Sequence, residues 1–463
     1  MVRIQLQLRV QRFQFFSDAL FRFQSGIGLL GGSLLPVYVV IAAAILSCQS
    51  QSTAGIVSHL REETLGAPAD VVVQTGVAVP RVLPGITVLF EDSLHLIRGK
   101  RVGLITNHTG RDERGGGRSS IDLIFRAPGV RLTALFAPEH GIRGGVEGGE
   151  RIASGVDRVT GVPIHSLYGA TRVPTARMLA NIDVLVYDIQ DVGARMYTYV
   201  WTMTLAAEAA RQAGRKFIVL DRPNPIRADI AEGGSIERRY RSFTGLHDVM
   251  PRYGLTPGEL ALYLVGTKQI EADVTVVPMR GYRRSMWYDE TGLPWAKPSP
   301  NIPNVDAALL YAGTGMFEAT NVSEGRGTDS PFRLVGASWL NDAGAIARAM
   351  NAMRLAGVRF DSTSRRIARG QKFGGQTIPM IRVSITHRDS VRAIDVGARM
   401  LREIYCRHPR QLRWQGQGIE EISGSRALRN AVEHGGIEEL LEQWRGESAR
   451  FRTATAPYLL YPP

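Results

Sequence analysis

The chain has 463 residues, of which 44% are hydrophobic, and it carries a formal net charge of +13. This length suggests two or three domains, and the apolar content is sufficient for a sizeable core. The two cysteines, Cys48 and Cys406, exclude a disulfide framework and a multi-cysteine zinc site. The arginines are scattered, and no helix-turn-helix, RRM or zinc-finger spacing is present, so nucleic acid is not an expected partner.

The N-terminal segment, residues 1–48, predicts a signal peptide or a membrane anchor. Residues 26–50 form an apolar run that is long enough to span a bilayer, and basic residues precede it. The tetrad Ile-Leu-Ser-Cys at 45–48 resembles a bacterial lipobox, which makes Cys48 a candidate for lipidation, with an uncleaved anchor as the alternative. We therefore expect an exported protein, periplasmic or on the cell surface and anchored to the membrane. Residues 49–85 are expected to be a linker.

From residue 101 onward, short apolar strands alternate with helices. Strands are predicted at 101–106, 131–137, 162–168, 183–188, 216–221, 272–279 and 378–385, and helices at 120–127, 174–181, 198–214, 256–266, 344–350, 390–406 and 436–452. The alternation in the first part is typical of an α/β fold with a parallel sheet covered on both faces. A proline-rich loop at 281–304 precedes a less regular region. We therefore predict two domains, 86–290 and 291–463.

Polar side chains follow most of the predicted strands in the first part. In open α/β sheets, ligands bind outside the carboxyl ends of the strands, so these residues are expected to form one rim. The rim residues are Asn107 and His108 after the first strand, Glu139 and His140 after the second, Tyr168 after the third, Asp188, Gln190 and Asp191 after the fourth, and Asp221, Arg222 and Asn224 after the fifth.

The usual signatures of cofactor and metal chemistry are missing from the sequence. The glycines after Glu139 give neither G-x-G-x-x-G nor a Walker loop, and there is no H-E-x-x-H and no G-x-S-x-G. We therefore expect no cofactor and no metal. Carboxylates remain as the candidates for acid–base chemistry, because desolvation beside apolar residues can adapt a carboxyl group to act as an acid.

Two polar stretches are candidates for substrate binding. Residues 187–202 combine Asp188, Asp191 and Arg195 with Tyr197 and Tyr199, a mixture that suits a sugar, although a buried tyrosine–carboxylate network would have the same sequence. The second stretch is glycine-rich, spans 313–332 and contains Glu318, Asn321 and Arg326. An arginine on such a loop can bind a carboxylate through two parallel hydrogen bonds.

Many motifs in order resemble one family. They include GLITNHTG, LFAPEHGIRG, DVLVYDIQDVGARMYTYVWTM, VLDRPNPI, LPWAKPSPNIPN and GTGMFEATNVSEGRGTDSPF. From about residue 85 to 460 the chain is similar to the DUF1343 family, whose characterised members are NamZ-type exo-β-N-acetylmuramidases. The resemblance implies a Rossmann-like domain followed by a smaller C-terminal α/β domain, with the active site in a cleft between them. This chain departs from the family pattern in three places: residues 224–237 match the usual glycine-rich segment only loosely, Ala319 stands where glycine is expected, and Glu324 stands where a small or apolar residue is commoner.

The resemblance implies release of N-acetylmuramic acid from non-reducing ends of peptidoglycan fragments, with Glu139 as the general acid. Asp188, Asp191 or the acetamido oxygen of the substrate would act at the anomeric carbon. Arg195, Arg222 or Arg326 would bind the lactyl carboxylate. The remaining expected substrate contacts are Asn107, His140, Gln190, Asn224, Glu318 and Asn321, with Tyr197, Tyr199 and Trp295 lining the sugar. The alternatives are a non-catalytic peptidoglycan-binding lipoprotein and a nicotinamide-dependent enzyme.

Overall fold

The computed structural model describes residues 82–113, 116–142 and 153–463. The predicted anchor at 1–48, with the lipidation candidate Cys48, lies outside these residues, as does most of the predicted linker. The last residues of that linker are packed against the fold: the amide of Val82 donates to the Thr291 carbonyl oxygen at 3.1 Å. Within the described residues, no helix combines the length and the apolar character needed to cross a bilayer.

A seven-stranded sheet organises the first part of the described chain. Its strands are β1 (Arg101–Thr106), β4 (Arg131–Ala137), β5 (Gly155–Val156), β6 (Pro163–Ser166), β7 (Val184–Asp188), β8 (Lys216–Leu220) and β9 (Val274–Val277). A separate two-stranded ribbon consists of β2 (Arg111–Asp112) and β3 (Arg118–Ser119). The large sheet has the order β5-β6-β4-β1-β7-β8-β9, and only the pair β5–β6 is antiparallel.

Five helices accompany this sheet. They are α1 (Gly85–Glu91), α2 (Ser120–Arg126), α3 (Ala176–Leu179), α4 (Tyr199–Gln212) and α5 (Pro257–Gly266). Successive residues of a strand point to opposite faces of the sheet. Along β7, Leu185 and Tyr187 belong to one apolar cluster, and Val184 and Val186 belong to another. Both faces of the sheet are therefore buried, as the near-continuous apolar strands require. The predicted α/β class is confirmed.

The C-terminal part contains a small antiparallel sheet and six helices. The strands are β10 (Leu334–Gly336), β11 (Val358–Arg366) and β12 (Thr377–Ile385), in the order β10-β12-β11. The helices are α6 (Val305–Thr314), α7 (Ala343–Ala352), α8 (Ala393–Arg407), α9 (Gly418–Ser423), α10 (Ala427–His434) and α11 (Ile437–Thr455). Helices α6 and α8 cross at Gly313 and Gly397, where a β-carbon on Gly313 would lie 1.8 Å from the Ala393 carbonyl oxygen.

The two parts share a core. The largest buried cluster contains Phe136 and Tyr187 of the seven-stranded sheet together with Leu309 of α6 and Leu401 of α8. The C-terminus also returns to the sheet, because the Tyr461 hydroxyl donates to Asp221 Oδ2 at 2.5 Å. The cleft above the sheet is thus bounded by segments that pack together. The domain boundary near residue 290 stays a prediction.

Candidate active site

The turn after β4 presents Glu139 at the carboxyl edge of the sheet. The amide of Gly141 donates to the Pro138 carbonyl oxygen at 3.1 Å and closes the turn. His140 has a φ of 68°, in the left-handed region, which costs an L-residue roughly 1–2 kcal/mol. Its ring is buried edge-on against Tyr199, with the ring centroids 6.4 Å apart. Pro138 and His140 are buried while Glu139 between them is only partly buried, so the turn leaves the carboxylate accessible.

Two hydroxyl groups from other segments contact the Glu139 carboxylate. Thr198 Oγ1 donates to Glu139 Oε2 at 2.8 Å, and the Tyr168 hydroxyl is also hydrogen-bonded to Glu139. Burial, together with the negative charge of Glu139, raises the pKa of Tyr168 to about 12, so this hydroxyl keeps its proton at neutral pH. Glu139, Tyr168 and Thr198 follow β4, β6 and β7 respectively, which is the convergence expected at the carboxyl ends of parallel strands.

Thr198 uses its hydroxyl in an unusual way for its position. It precedes the first residue of α4, where a threonine side chain normally accepts a hydrogen bond from the helix N-terminus. Thr198 makes no such cap bond, and its hydroxyl contacts Glu139 instead. By contrast, Thr256 at the start of α5 forms a complete capping box with Glu259. The N-terminus of α4 therefore lacks a side-chain cap, because the Thr198 hydroxyl is hydrogen-bonded to the Glu139 carboxylate.

These groups line a cavity of about 390 Å³ between the sheet edge and the C-terminal part. Its lining residues within the described chain are Glu139, His140, Tyr168, Met196, Tyr197, Thr198, Thr244, Ser299, Tyr311, Glu318, Glu324, Arg326, Gln371 and Lys372. Four of the predicted site residues besides Glu139 are thereby brought together: His140, Tyr197, Glu318 and Arg326. The cavity offers charged and hydroxyl groups on one side and aromatic rings on another, which suits a polar ligand with apolar faces.

The C-terminal side of the cavity is a charged wall formed by Glu318, Glu324, Arg326 and Lys372. Arg326 Nη2 lies 2.5 Å from Glu318 Oε1, and Arg326 Nε lies 3.2 Å from Glu324 Oε1. Lys372 Nζ donates to Glu324 Oε2 at 3.1 Å and to the Phe317 carbonyl oxygen at 2.9 Å. Anionic and cationic groups thus alternate along the wall, and each carboxylate has a cationic partner.

Tyrosines form an aromatic side of the cavity. The rings of Tyr197 and Tyr311, both lining residues, meet edge-to-face with centroids 5.9 Å apart. Tyr199 packs behind Tyr197 at 4.8 Å, is fully buried, and donates its hydroxyl to the Pro298 carbonyl oxygen at 2.9 Å. Tyr199 therefore supports the lining ring. Trp295 donates to the Ile302 carbonyl oxygen at 3.2 Å and is not among the lining residues.

Asp188 and Asp191 lie in the interior behind the cavity lining. Asp188 receives two hydrogen bonds from Arg222, Nε to Oδ1 at 2.6 Å and Nη2 to Oδ2 at 3.0 Å, and both side chains are almost completely buried. Asp191 accepts hydrogen bonds from the Tyr253 hydroxyl and from the Gly193 amide. Burial raises the pKa of Asp191 to about 6. Arg222 is thereby engaged with Asp188 at the sheet edge.

Three amide side chains that were predicted to contact the substrate are hydrogen-bonded within the protein. Asn107 Oδ1 accepts from Thr109 Oγ1 at 2.6 Å, Gln190 Nε2 donates to the Pro223 carbonyl oxygen at 2.7 Å, and Asn224 Nδ2 donates to the Leu255 carbonyl oxygen at 2.9 Å. Asn107 Nδ2, Gln190 Oε1 and Asp191 Oδ1 are buried without a protein partner, a situation that an internal water ordinarily satisfies. None of these side chains is among the described residues that line the cavity.

Two further predicted contacts join separate parts of the chain. Arg195 is fully buried and donates to the carbonyl oxygens of Val249 at 2.6 Å and Ile422 at 2.7 Å. Asn321 Nδ2 donates to the Gln411 carbonyl oxygen at 2.9 Å. Of the three arginines predicted to bind a carboxylate, Arg326 is the one that lines the cavity. Within the described residues, no group of three or more His, Cys, Asp or Glu side chains has the arrangement of a metal site.

Some lining residues were not predicted to contact a substrate: Tyr168, Thr198, Ser299, Tyr311, Gln371 and Lys372. Tyr168 was predicted on the rim by the strand-end rule, and Thr198 lies within the polar stretch 187–202, but neither was assigned a substrate contact. Tyr311 belongs to α6, and Lys372 lies between β11 and β12, far from any strand end of the large sheet. No local pattern in the sequence marks those two residues.

Comparisons with known proteins cover nearly the whole described chain. The family model "Exo-beta-N-acetylmuramidase NamZ, N-terminal" matches residues 102–306, and the corresponding C-terminal model matches residues 309–461. The peptidoglycan β-N-acetylmuramidase NamZ of Bacillus subtilis (strain 168) is 39% identical over 384 residues, which are 82% of this chain and 92% of that protein.

Crystal structures of two DUF1343 family proteins from Bacteroides fragilis NCTC 9343 are also similar. One is 36% identical with a TM-score of 0.77, and the other is 27% identical with a TM-score of 0.67. Each match covers 82% of this chain and 99% of the solved chain. The sequence and the fold agree, and the chain therefore belongs to the DUF1343 family of NamZ-type exo-β-N-acetylmuramidases, which are glycosidases.

Proposed function

We propose that this protein is an exo-acting glycoside hydrolase that releases N-acetylmuramic acid from the non-reducing ends of peptidoglycan fragments, with Glu139 as the general acid. The observation that carries this proposal is the position of Glu139. It is the one of the three predicted catalytic carboxylates that lines the cavity, and hydroxyls of Thr198 and Tyr168 hold it there. The name of the Bacillus subtilis relative supports the same chemistry.

In the proposed reaction, the protonated Glu139 carboxyl donates its proton to the glycosidic oxygen as the bond from that oxygen to the anomeric carbon breaks. The leaving sugar departs as an alcohol, and positive charge develops at the anomeric centre. A water molecule then adds its oxygen to the anomeric carbon and returns a proton to Glu139. The proton that Glu139 gives to the leaving sugar is thus replaced by one from the water molecule, and the acid is regenerated.

The acetamido oxygen of the substrate is proposed to bond to the anomeric carbon as the glycosidic bond breaks, and the attacking water then displaces it, so that this bond breaks as the new bond to water forms and the acetamido group is restored. Asp188 is paired with Arg222 in the interior, and Asp191 lies buried beside Tyr253. The other cavity carboxylates, Glu318 and Glu324, both contact Arg326. In substrate-assisted hydrolysis the acetamido oxygen takes the place of a protein nucleophile, so no second carboxylate has to attack the anomeric carbon. This alternative therefore fits the carboxylates that the cavity presents.

The cavity supports muramic acid as the recognised sugar. Its lactyl group carries a carboxylate, and Arg326 supplies a cation within the lining. Tyr197 and Tyr311 offer rings against which the CH faces of a pyranose can pack. A volume of about 390 Å³ is near the lower end for ligand pockets, which suits one terminal sugar and hence exo-acting release.

The substitution Glu139→Gln tests the proposed acid. We expect kcat on a chromogenic N-acetylmuraminide to fall at least about a hundredfold, because loss of a general acid removes about 10²–10⁴ in rate. Glu403→Gln is the control, since Glu403 lies on α8 and bonds Arg407, outside the cavity lining. Wild-type turnover in Glu139→Gln would remove Glu139 from its role. A wild-type protein that binds the fragments without releasing sugar would identify a non-catalytic binder instead.

Export and anchoring belong to the same proposal and are supported by the sequence of residues 1–48. An apolar run followed by Ile-Leu-Ser-Cys would place the hydrolase at the membrane, with access to wall fragments. Membrane fractionation of cells producing the full chain, with Cys48→Ala beside it, tests this part. Lipidation predicts that the wild type is shortened to begin at Cys48 and carries the added mass of a lipid, and that Cys48→Ala loses both changes, whereas an uncleaved anchor gives the two proteins the same N-terminus and no added lipid mass.

A further inference from the structure

The two carboxylates that contact Arg326 are held differently. Glu324 is bound by two cations, Arg326 at 3.2 Å and Lys372 at 3.1 Å, and its side chain is 4% exposed. Glu318 has one cationic contact among the described ion pairs, Arg326 at 2.5 Å, and its side chain is 32% exposed. Glu324 is therefore a fixed part of the charged wall, whereas Glu318 can leave Arg326 for solvent by a side-chain rotation.

Of the two Nη donors of Arg326, only Nη2 is hydrogen-bonded to a described residue. Glu324 lies at Nε and Glu318 accepts from Nη2, while Nη1 donates no hydrogen bond to any described residue. The two Nη atoms are one of the donor pairs through which arginine binds a carboxylate in parallel. If Glu318 moved away, this pair would be open, and Glu324 would still hold the guanidinium from behind.

We propose that Glu318 is a placeholder for the substrate carboxylate. In the unliganded enzyme its carboxylate occupies Nη2 of Arg326. The lactyl carboxylate of a terminal N-acetylmuramic acid residue displaces it and takes both Nη atoms. The identity of this anion rests on the proposed function, whereas the exchange of one carboxylate for another follows from the contacts of Arg326.

A placeholder has a physical reason to exist. A guanidinium that loses counter-charge in a partly buried site is destabilised, so Glu318 and Glu324 together keep Arg326 paired before the sugar arrives. Burial, opposed by Arg326 and reinforced by the charge of Glu324, raises the pKa of Glu318. Burial therefore disfavours the charged form of Glu318 in this position, and rotation into solvent relieves that cost and carries the negative charge away from the incoming anion. N-acetylglucosamine has no lactyl group and leaves the Glu318–Arg326 contact in place.

The test is calorimetric binding of free N-acetylmuramic acid and free N-acetylglucosamine to the wild type and to Glu318→Gln. Removing the competing carboxylate should lower the Kd for N-acetylmuramic acid about threefold, a size expected for a partly exposed ion pair. The Kd for N-acetylglucosamine should change less than about twofold by the same reasoning. The control Glu403→Gln makes the same change in net charge at α8 and should leave both Kd values close to the wild type.

Arg326→Gln in the Glu318→Gln background should abolish the gain, because the gain requires the guanidinium. Unchanged or weaker binding of N-acetylmuramic acid by a folded Glu318→Gln would overturn the placeholder, as would equal tightening for both sugars. If the wild type itself shows no preference for N-acetylmuramic acid, the sugar assignment in the proposed function fails as well. A wild-type preference without a gain in Glu318→Gln contradicts the placeholder alone.

Discussion

Two groups of polar side chains lie near the carboxyl edge of the large sheet, and they differ in what their polar atoms contact. Asp188, Asp191 and Arg222 are buried. Arg222 donates hydrogen bonds to Asp188, and Asp191 accepts one from the Tyr253 hydroxyl. Glu139 also follows a strand, yet it remains partly exposed and lines the cavity with Thr198. The polar atoms of the first group are used within the interior, and the second faces the space where a substrate can lie.

The difference shows what a polar residue after a strand does and does not imply. Parallel strands bring such residues to one edge, so convergence alone follows from the topology. Whether a side chain reaches the ligand depends on the next turn of the chain. After β4, the left-handed His140 and Gly141 turn the backbone and leave Glu139 accessible. At the end of β7, Asp188 pairs with Arg222, and both side chains are buried away from the cavity.

The strongest test of this comparison is Asp188→Asn. The substitution leaves the Arg222 guanidinium buried without its counter-charge, so the free energy of unfolding should fall by about 3–5 kcal/mol. The control is Asp183→Asn, immediately before the same strand, where the pair with Arg101 is about one-third exposed on each side and should contribute about 1 kcal/mol or less. Urea denaturation of the three proteins measures both values.

The kinetics of Asp188→Asn separate a structural role from a catalytic one. If Asp188 stabilises the edge, the folded fraction should retain kcat within about an order of magnitude of the wild type, far above the loss expected for a missing general acid. Normal stability combined with a loss of turnover as large as that of Glu139→Gln would return Asp188 to the reaction. The comparison between the two groups would then be wrong.

The next test uses the raised pKa of Asp191. Its pKa is about 6 in the folded protein and about 3.9 in an unfolded chain, so the folded state binds this proton more tightly. The stabilisation from the protonated form is complete below about pH 4 and is lost as the pH rises through about 6. Between these pH values the free energy of unfolding of the wild type should therefore fall by on the order of 1–3 kcal/mol. Asp191→Asn has no titrating group at this position and should not show this loss.

Unfolding free energies of the wild type and Asp191→Asn at several pH values across this range measure the difference. Titrations of other groups, including the buried Asp221, are common to both proteins and cancel. Parallel curves would contradict the raised pKa. They would mean that Asp191 is ionised in the folded protein and sufficiently hydrogen-bonded to offset its burial.

The sequence was sufficient to predict the α/β fold and the turn that carries Glu139. Near-continuous apolar strands such as Leu135–Ala137 require a sheet that is covered on both faces, and the Pro-Glu-His-Gly turn ends one of them. The same pattern could not separate Glu139 from Asp188, because each directly follows or ends a buried strand. Their difference depends on Arg222, which is 34 residues away in the chain.

The charged wall was predictable only in part. Arg326 stands between glycines in a conspicuous polar stretch, whereas Lys372 lies in an ordinary turn between β11 and β12. Lys372 joins the wall because packing of the C-terminal sheet brings its ammonium group to Glu324. Tyr311 likewise reaches the cavity from the interior of α6. Contacts of this kind are set by tertiary packing, for which strand and helix periodicity carries no information.

The smallest expected effect concerns the hydroxyl that fixes Glu139. Thr198→Val keeps the shape of the side chain but removes the donor to Glu139 Oε2. A hydrogen bond of about 1 kcal/mol lost from the positioning of the acid should reduce kcat roughly fivefold. KM should change less, because this hydroxyl orients the carboxyl group and the sugar contacts are left in place. The matched control is Thr204→Val on the same helix, whose hydroxyl donates to the Trp201 carbonyl oxygen at 3.0 Å. If both variants lose kcat equally, the effect comes from α4 as a whole. If only Thr198→Val loses kcat, and the two variants have similar free energies of unfolding, the Thr198 hydroxyl positions the catalytic acid and does not cap the helix.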